Sequence, residues 1–324
     1  MALPLLTFPF RTSTTLTAVA VTLALLPSCD KLQNGVVNEI EFPEHEPRLA
    51  VNMFVSPGDT VVYATVYQSA GMTDPAGSQP LRHAAVSLLQ GNTVLLQGDS
   101  SNWAEFPSGP WQSSSLMAML LNVPLQLQPG AVSLVVDASP TFEPLVVTEN
   151  VPAEPIVEHL FEPLADTITE QGGYEYYNHR ITLDLDNRPG VRDDYMIYLE
   201  VRKDDFEGST WYRTGSQAFP DPRFEYNQGC DCLLATDGGE DNVSMENMVL
   251  EAWGGDNSGD NEEQSLRVRV GRPAASLFNH FKSVDAYYGA LDNPFSEPAS
   301  IQGNIPDGFG IFGVTNEVVI SLLD

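Results

Sequence analysis

Two cysteines separated by a single residue are the first candidates for chemistry in this chain of 324 residues. Cys230 and Cys232 flank an aspartate, and Cys29 is the only other cysteine of the sequence. A disulfide needs its two Cα atoms to lie about 4.4–6.8 Å apart, which is demanding for a Cys-x-Cys segment. The five histidines are scattered and complete no metal-ligand pattern with these thiols. Three interpretations stay open: a local disulfide, thiols that are free or partnered elsewhere, and a metal site.

A strongly acidic segment contains the cysteine pair. Residues 225–263 include no lysine or arginine, and Asp256, Asp260 and Glu262 place carboxylates close together near its end. Calcium prefers about six to eight oxygen ligands, so these residues predict a calcium site. The spacing differs from that of an EF-hand, and a solvated acidic loop is the alternative interpretation. Calcium is the only cofactor that the sequence suggests.

The segment GFGIFG, from Gly308 to Gly313, has the glycine spacing of a dinucleotide-binding turn. Such a turn needs a strand before it and a helix after it, because the helix N-terminus binds the pyrophosphate. Pro306 disfavours a preceding strand, and VTNEVVISL over residues 314–322 predicts a strand where the helix should begin. We therefore interpret the glycines as positions where the backbone turns and packs closely.

No catalytic motif accompanies these segments. The sequence contains neither G-x-S-x-G nor H-E-x-x-H. Its 44 acidic residues are too numerous for a glycosidase pair to be singled out. The sequence therefore predicts a protein without catalytic activity, and no residue is assigned a catalytic role.

The N-terminal segment predicts export and lipidation. The apolar run LTAVAVTLALL, residues 16–26, is too short to cross a bilayer and is typical of a signal-peptide core. The sequence LPSC ends this segment and resembles the lipobox of bacterial lipoproteins, in which the cysteine, here Cys29, carries the lipid. Residues 1–28 are thus a predicted signal peptide, and residues 29–47 a lipidated cysteine with a polar tether. Secretion as a soluble protein is the alternative.

The charge balance excludes one class of partner. The chain has 44 acidic and 15 basic residues, which gives a net charge of −29. A surface this acidic repels the phosphates of nucleic acids, so we expect no nucleic-acid binding. Both salt adaptation and an ordinary acidic exported protein account for this composition.

Alternating apolar residues and frequent turn signals predict a mostly β protein. Two strand patterns over residues 48–69 are separated by Pro-Gly-Asp, and Gly91-Asn92 joins two apolar runs as a predicted hairpin. We expect an immunoglobulin-like or prealbumin-like sandwich over residues 48–155. Alternation continues over residues 156–324, which predicts a second antiparallel β-sandwich or a jelly-roll-like domain.

One helix is predicted near residues 273–291, because apolar residues recur there every three or four positions. The residues of this stripe are Leu277, Phe281, Val284, Tyr288 and Leu291. We expect the stripe to pack against a sheet.

Several segments together resemble a Bacteroidetes-type lipoprotein family, the family of domain of unknown function 4249. The first match is EFPEHEPRLAVN over residues 41–52, followed by SPGD over residues 56–59 and AAVSL over residues 84–88. The C-terminal match is a motif formed by Asn293, Pro294, Phe295, Asn304, Gly308, Gly310, Phe312 and Gly313. The resemblance implies a closing structural role for this motif. It also implies an outer-membrane lipoprotein, commonly encoded beside a TonB-dependent transporter and without established catalytic activity.

Three hypotheses about function follow. The first is a binding or accessory lipoprotein of the outer membrane, anchored by Cys29, whose loops bind a TonB-dependent transporter or an unknown small ligand. The second is a structural or envelope-assembly lipoprotein that faces the periplasm. The third is an extracellular hydrolase, which only the abundance of carboxylates supports.

Overall fold

The structure is a computed structural model that describes much of the chain. The described residues are 44–71, 74–107, 113–171, 174–205, 208–213, 221–240, 243–256, 265–291, 297 and 299–323. The predictions about the signal peptide, Cys29, Asp260, Glu262 and residues 293–295 lie outside them. Residues 46–324 form one compact unit. Among the described residues, no helix combines the length and the apolar character that crossing a membrane requires.

The described residues are mostly β, which confirms the expected fold class. The first half contributes β1 (Leu49–Val55), β2 (Val61–Gln68), β3 (Gln79–Pro80), β4 (Ala85–Gln90), β5 (Thr93–Gly98), β6 (Trp103–Pro107), β7 (Ser113–Leu120), β8 (Gly130–Asp137) and β9 (Leu145–Val151). The second half contributes β10 (Val157–Gln171), β11 (Tyr174–Leu185), β12 (Asp194–Asp205), β13 (Gly208–Arg213), β14 (Glu225–Asn227), β15 (Cys232–Thr236), β16 (Met248–Asp256), β17 (Leu266–Pro273) and β18 (Phe309–Leu323). The helices among the described residues are a 3-10 turn (Ser100–Asn102) and α1 (Ala275–Leu291).

One long sheet joins the two halves of the chain. Its strand order in the described residues is β14-β15-β12-β17-β18-β1-β2-β7-β6, with β13 beside β12 and β3 beside β2. The last strand makes the junction, because β18 pairs in parallel with β1 and antiparallel with β17. The two halves that we distinguished near residue 155 therefore share a sheet through the C-terminal strand.

Two smaller sheets pack on one face of the long sheet, and each encloses a buried core. The sheet β5-β4-β8-β9 covers the first core, which includes Leu134, and the sheet β10-β11-β16 covers the second, which includes Ile181. Strand β18 contributes to both, since Phe312 and Val314 belong to the first core and Val318 packs against the second. Alternate residues of a strand share a face, so both small sheets lie on the same side.

Helix α1 packs on the opposite face of the long sheet. Its Leu277 and Phe278 are buried there against Ile311 of β18. The expectation that the whole apolar stripe packs on the sheet was wrong, because Tyr288 and Leu291 are 48% and 61% exposed. The buried residues of the helix all lie in its first half, and its last turns face solvent.

The predicted hairpin is confirmed. Strands β4 and β5 pair antiparallel with Gln90 opposite Thr93, and the connection is Gly91-Asn92. Gly91 has a φ of 60°, in the left-handed region that glycine adopts without steric cost. The two-residue turn thereby fixes the register of the pair.

A buried ion-pair cluster ties the segment between the two halves to the second core. Arg272 is 3% exposed, and its Nη2 donates to Asp186 Oδ1 and to Tyr195 Oη, both at 2.7 Å. Its Nε lies 3.4 Å from Asp193 Oδ1, and its Nη1 donates to the Ala153 carbonyl at 3.3 Å. One guanidinium therefore holds the connection after β9 against the strands that follow it.

Candidate functional site

A cleft of about 420 Å³ lies on the helix-bearing face of the long sheet, where β1, β2, β12, β17, β18 and α1 meet. Its aromatic lining residues are Phe54, Tyr63, Tyr198 and Phe281. Its charged lining residues are Asp59, Arg213, Arg269 and Glu317. We call this feature the junction cleft, because both halves of the chain contribute to it.

The turn between β1 and β2 brings a carboxyl group to the junction cleft. The backbone N–H of Ser56 donates to Asp59 Oδ2 at 2.7 Å, and Gly58 within the turn has a φ of 89°. Loss of water contact raises the pKa of Asp59 to about 6. The Ser56 N–H and Arg269 oppose this shift, while the charge of Glu317 adds to it. Asp59 therefore changes its charge close to neutral pH.

The Ser56 side chain, whose backbone N–H contacts this carboxyl, carries a buried hydroxyl group. Ser56 lines the junction cleft and is 5% exposed. Its buried Oγ has no hydrogen-bond partner among the described residues. A buried polar group of this kind costs free energy unless water or a ligand satisfies it.

A ladder of alternating charges runs from strand to strand along one side of the cleft. The distance from Arg269 Nη2 to Glu317 Oε2 is 2.6 Å, and that from Arg269 Nη1 to Glu200 Oε1 is 3.6 Å. Glu200 also accepts from Arg267 Nε at 2.6 Å. Both arginines alternate with core residues of β17. The ladder neutralises its own charges and fixes the orientation of Arg269.

A second arginine, Arg213, also lines the junction cleft. The Arg213 Cζ atom lies 4.2 Å from the ring centroid of Tyr198, a distance at which a cation and an aromatic ring attract each other. Its Nη1 donates to the Cys230 carbonyl at 2.5 Å. Burial raises the pKa of Tyr198, so this ring stays neutral. No carboxylate among the described residues pairs with Arg213.

One cysteine of the pair, Cys230, also lines the cleft. Cys230 and Cys232 are joined by a disulfide with a Cα–Cα distance of 5.2 Å, and Asp231 between them has a φ of 49°. Asn227 holds the loop, because its Oδ1 accepts from the Cys230 N–H at 3.1 Å and its Nδ2 donates to the Phe281 carbonyl at 3.0 Å. The sequence left three interpretations open for these thiols, and the structure joins them.

Phe54 and Tyr63 form the solvent-exposed aromatic wall of the cleft, and Phe281 packs against Phe54. The rings of Phe54 and Phe281 stack with their centroids 6.1 Å apart. Phe54 and Tyr63 are 45% and 50% exposed. Met53 pairs with Ala64, so the next residues of the ladder, Phe54 and Tyr63, lie side by side on the cleft face. The result is a solvent-facing aromatic surface.

Residues 309–313 of the GFGIFG segment lie inside strand β18, and Gly308 ends the turn before it, where its N–H donates to the Ile305 carbonyl at 3.2 Å. Gly310 is opposite Val51 and has a φ of 95°, and a Cβ atom there would collide with the Val51 carbonyl oxygen. A Cβ atom at Gly313 would lie 2.8 Å from Phe54 Cδ1. The glycines are therefore needed for close packing of β18 against β1 and its side chains, and no helix follows them in the part that the structure describes.

The predicted calcium ligands are not brought together within the described residues. Asp256 is the last residue of β16, while Asp260 and Glu262 lie outside the described part of the chain. No group of three histidine, cysteine, aspartate or glutamate residues is arranged for a metal in the part that the structure describes. Calcium binding at these positions stays a prediction.

A second cleft, of about 600 Å³, differs in chemical character from the junction cleft. Its acidic lining residues are Glu158, Asp184, Asp186 and Glu246. No aromatic or basic side chain lines it among the described residues. The junction cleft is therefore the better candidate for a binding site, because it combines apolar surface with a few oriented polar groups.

The junction cleft could not be predicted from the sequence. Two local sequence patterns concern its residues. They are the SPGD turn that carries Asp59 and the alternation that places Arg267 and Arg269 outside the core. Neither signal indicates which distant segment each residue meets.

No protein-family model matches the chain, and no curated protein matches it significantly. The resemblance to the lipoprotein family therefore stays a prediction.

Proposed function

We propose that the protein is a non-catalytic binding lipoprotein of a bacterial outer membrane that serves a TonB-dependent transporter. The observation that carries the binding role is the junction cleft, which combines an aromatic wall, oriented charges and the Ser56 hydroxyl, for which the described residues offer no partner. Export and anchoring depend on residues 1–29, as predicted by the signal-peptide core and the lipobox. The family resemblance supports the transporter as the partner.

The position of the cleft on β1 suits an anchored binding protein. The predicted tether leads into Leu49, and the cleft borders the other end of the same strand, at Phe54 and Val55. At about 3.3 Å per residue, the length of β1 separates the two ends by about 20 Å. The cleft is thus kept away from the point where the tether enters.

The hydrolase alternative has one specific observation in its favour. Asp59 has a raised pKa, as a general acid requires, and it lies in a cleft with Glu317. Glu317, however, is held by Arg269 at 2.6 Å, so it is already engaged in an ion pair within the protein. We therefore prefer a binding role, and incubation of the protein with a ligand followed by product analysis distinguishes the two.

The anchoring part of the proposal is tested in the native cells. Radiolabelled palmitate should enter the wild-type protein, and Cys29→Ser should abolish labelling and move the protein out of the outer-membrane fraction. Unlabelled wild-type protein, or unchanged fractionation of Cys29→Ser, would contradict the proposal.

The partner is tested by purification from the same cells. A β-barrel transporter should co-purify with the tagged lipoprotein after mild cross-linking, and deletion of the lipoprotein should reduce uptake of the transported compound. Protease treatment of intact cells separates a surface protein, which is digested, from an assembly protein that faces the periplasm, which is protected.

A further inference from the structure

We propose that the junction cleft binds a neutral saccharide, with a sugar ring against Phe54 and Tyr63 and hydroxyl groups bonded to Asp59 and Ser56. This inference rests on the proposed binding function and specifies the class of ligand.

The aromatic wall provides the surface that a sugar ring needs. The two faces of a pyranose ring carry C–H groups, which pack against aromatic rings with their negative faces. Phe54 and Tyr63 are neighbours across the β1–β2 pair, and both are about half exposed. Phe281 stacks on Phe54 and braces it. Aromatic rings held in place while open to solvent form a platform rather than a core.

Two of the polar residues that line the cleft are Asp59 and Ser56. Asp59 Oδ2 accepts from the Ser56 N–H, and its second oxygen has no partner among the described residues. The buried Oγ of Ser56 likewise has none there. A sugar hydroxyl both donates and accepts, so it can satisfy a carboxylate oxygen and a serine hydroxyl together.

The charge of the cleft favours a neutral ligand. Asp59 and Glu317 are balanced by Arg213 and Arg269, although the chain as a whole carries −29. An anionic ligand would be repelled by the surrounding protein, and a cationic one would meet two guanidinium groups. A polyhydroxyl compound uses both kinds of side chain, since the carboxylates accept and the guanidinium groups donate.

The size of the cleft suits a small saccharide. Its volume of about 420 Å³ falls within the range of about 300–1,000 Å³ that is typical of small-molecule sites. Because the aromatic wall is open to solvent, the remainder of a longer glycan can extend out of the cleft.

The test uses the full lipidated protein, purified in a detergent without a sugar headgroup. An array of neutral di- to tetrasaccharides identifies binders, and calorimetry measures their affinity. Tyr63→Ala should weaken binding by about tenfold or more through loss of the stacking surface, and Tyr63→Phe should retain it. Tyr288→Ala, at an exposed tyrosine outside the cleft, should leave the affinity unchanged.

Three results would overturn the inference. These are the absence of any neutral binder on the array, an affinity that Tyr63→Ala leaves unchanged, and preferential binding of uronic acids or amino sugars. Ser56→Ala is a second variant should Tyr63→Ala fail to fold, and it should also weaken binding. Palmitate labelling and transporter co-purification do not depend on Tyr63, so failure here leaves the proposed function intact.

Discussion

Asn304 and Phe312 exchange two hydrogen bonds, although eight positions separate them in the sequence. Asn304 Nδ2 donates to the Phe312 carbonyl at 2.8 Å, and Asn304 Oδ1 accepts from the Phe312 N–H at 2.8 Å. The same Nδ2 also donates to Glu149 Oε1 at 2.7 Å, which connects this loop with β9. The side chain of Asn304 thus acts as a strand partner for the first part of β18, beside the parallel contact with β1.

Asn304→Ala should destabilise the protein by about 1–3 kcal/mol, because it leaves both backbone groups of Phe312 without partners. Chemical denaturation monitored by tryptophan fluorescence measures the change. Asn150→Ala, at an exposed position of β9, is the control and should stay within about 0.5 kcal/mol of wild type. Equal effects of the two substitutions would contradict the role assigned to Asn304.

Gly310→Ala should destabilise the protein by about 1–3 kcal/mol through backbone strain alone, with a further cost from the collision with the Val51 carbonyl. Thermal unfolding measures the loss. Gly289→Ala in α1 is the matched control, because nothing lies within 4 Å of the added Cβ. That variant should be neutral or stabilised by up to about 1 kcal/mol, since alanine favours a helix. A harmless Gly310→Ala would mean that β18 does not pair with β1 as described.

Arg272→Met should cost about 3–5 kcal/mol, because Asp186 and Asp193 lose a buried cationic partner. Arg180→Met is the control. It breaks a pair with Glu251 at 3.1 Å that is more exposed, and about 0–1 kcal/mol is expected. Urea denaturation at neutral pH compares the two variants. Similar losses in the free energy of unfolding would contradict a larger contribution from the buried cluster.

The loss of stability at acidic pH should also depend on Arg272. Burial acts to raise the pKa of Asp186, but hydrogen bonds from Arg272 and from the Ile156 N–H hold it below its ordinary value. Because the pKa is lower in the folded state, the stabilisation is present above the unfolded pKa and is lost as the pH falls through the folded one. Arg272→Met should therefore weaken the pH dependence of unfolding in this acidic range.

Asp59 should have the opposite effect on the pH dependence of stability. Its pKa of about 6 exceeds the ordinary value of 3.8, so the folded state holds the proton more tightly. Stability contributed by this group should fall as the pH rises from about 4 to 6 and then stay constant. Asp59→Asn should be more stable than wild type at pH 7, with a difference that vanishes at low pH. An NMR titration of the Asp59 carboxyl with a midpoint below 4 would refute this prediction.

The disulfide predicts a simple chemical result. Cys230 and Cys232 of the exported protein should resist alkylation until a reductant is added, and reduction should raise the mass by two hydrogen atoms. Mass spectrometry of the intact protein with and without reductant makes the measurement. Alkylation of either cysteine before reduction would contradict the pairing.

Patterns in the sequence predicted those secondary-structure elements that depend mainly on neighbouring residues. The alternation over β17 and the glycine at the β4–β5 turn act within a few residues, because side-chain period and turn conformation are properties of neighbouring positions. The helical stripe predicted α1, but its last apolar residues, Tyr288 and Leu291, are exposed. Periodicity reveals which face is apolar, and it does not reveal how far the sheet beneath extends.

The sequence by itself therefore determined the β class, the hairpin, the position of the helix and the acidic character of the surface. It also carried the signal-peptide and lipobox patterns, whose outcomes stay predictions. Only the tertiary structure decided that β18 returns to β1 and that Asp59, Tyr63, Arg213 and Arg269 line one cleft. The physical reason is that strand pairing joins any two segments whose hydrogen bonds and packing match, and this choice depends on distant residues that no local window contains.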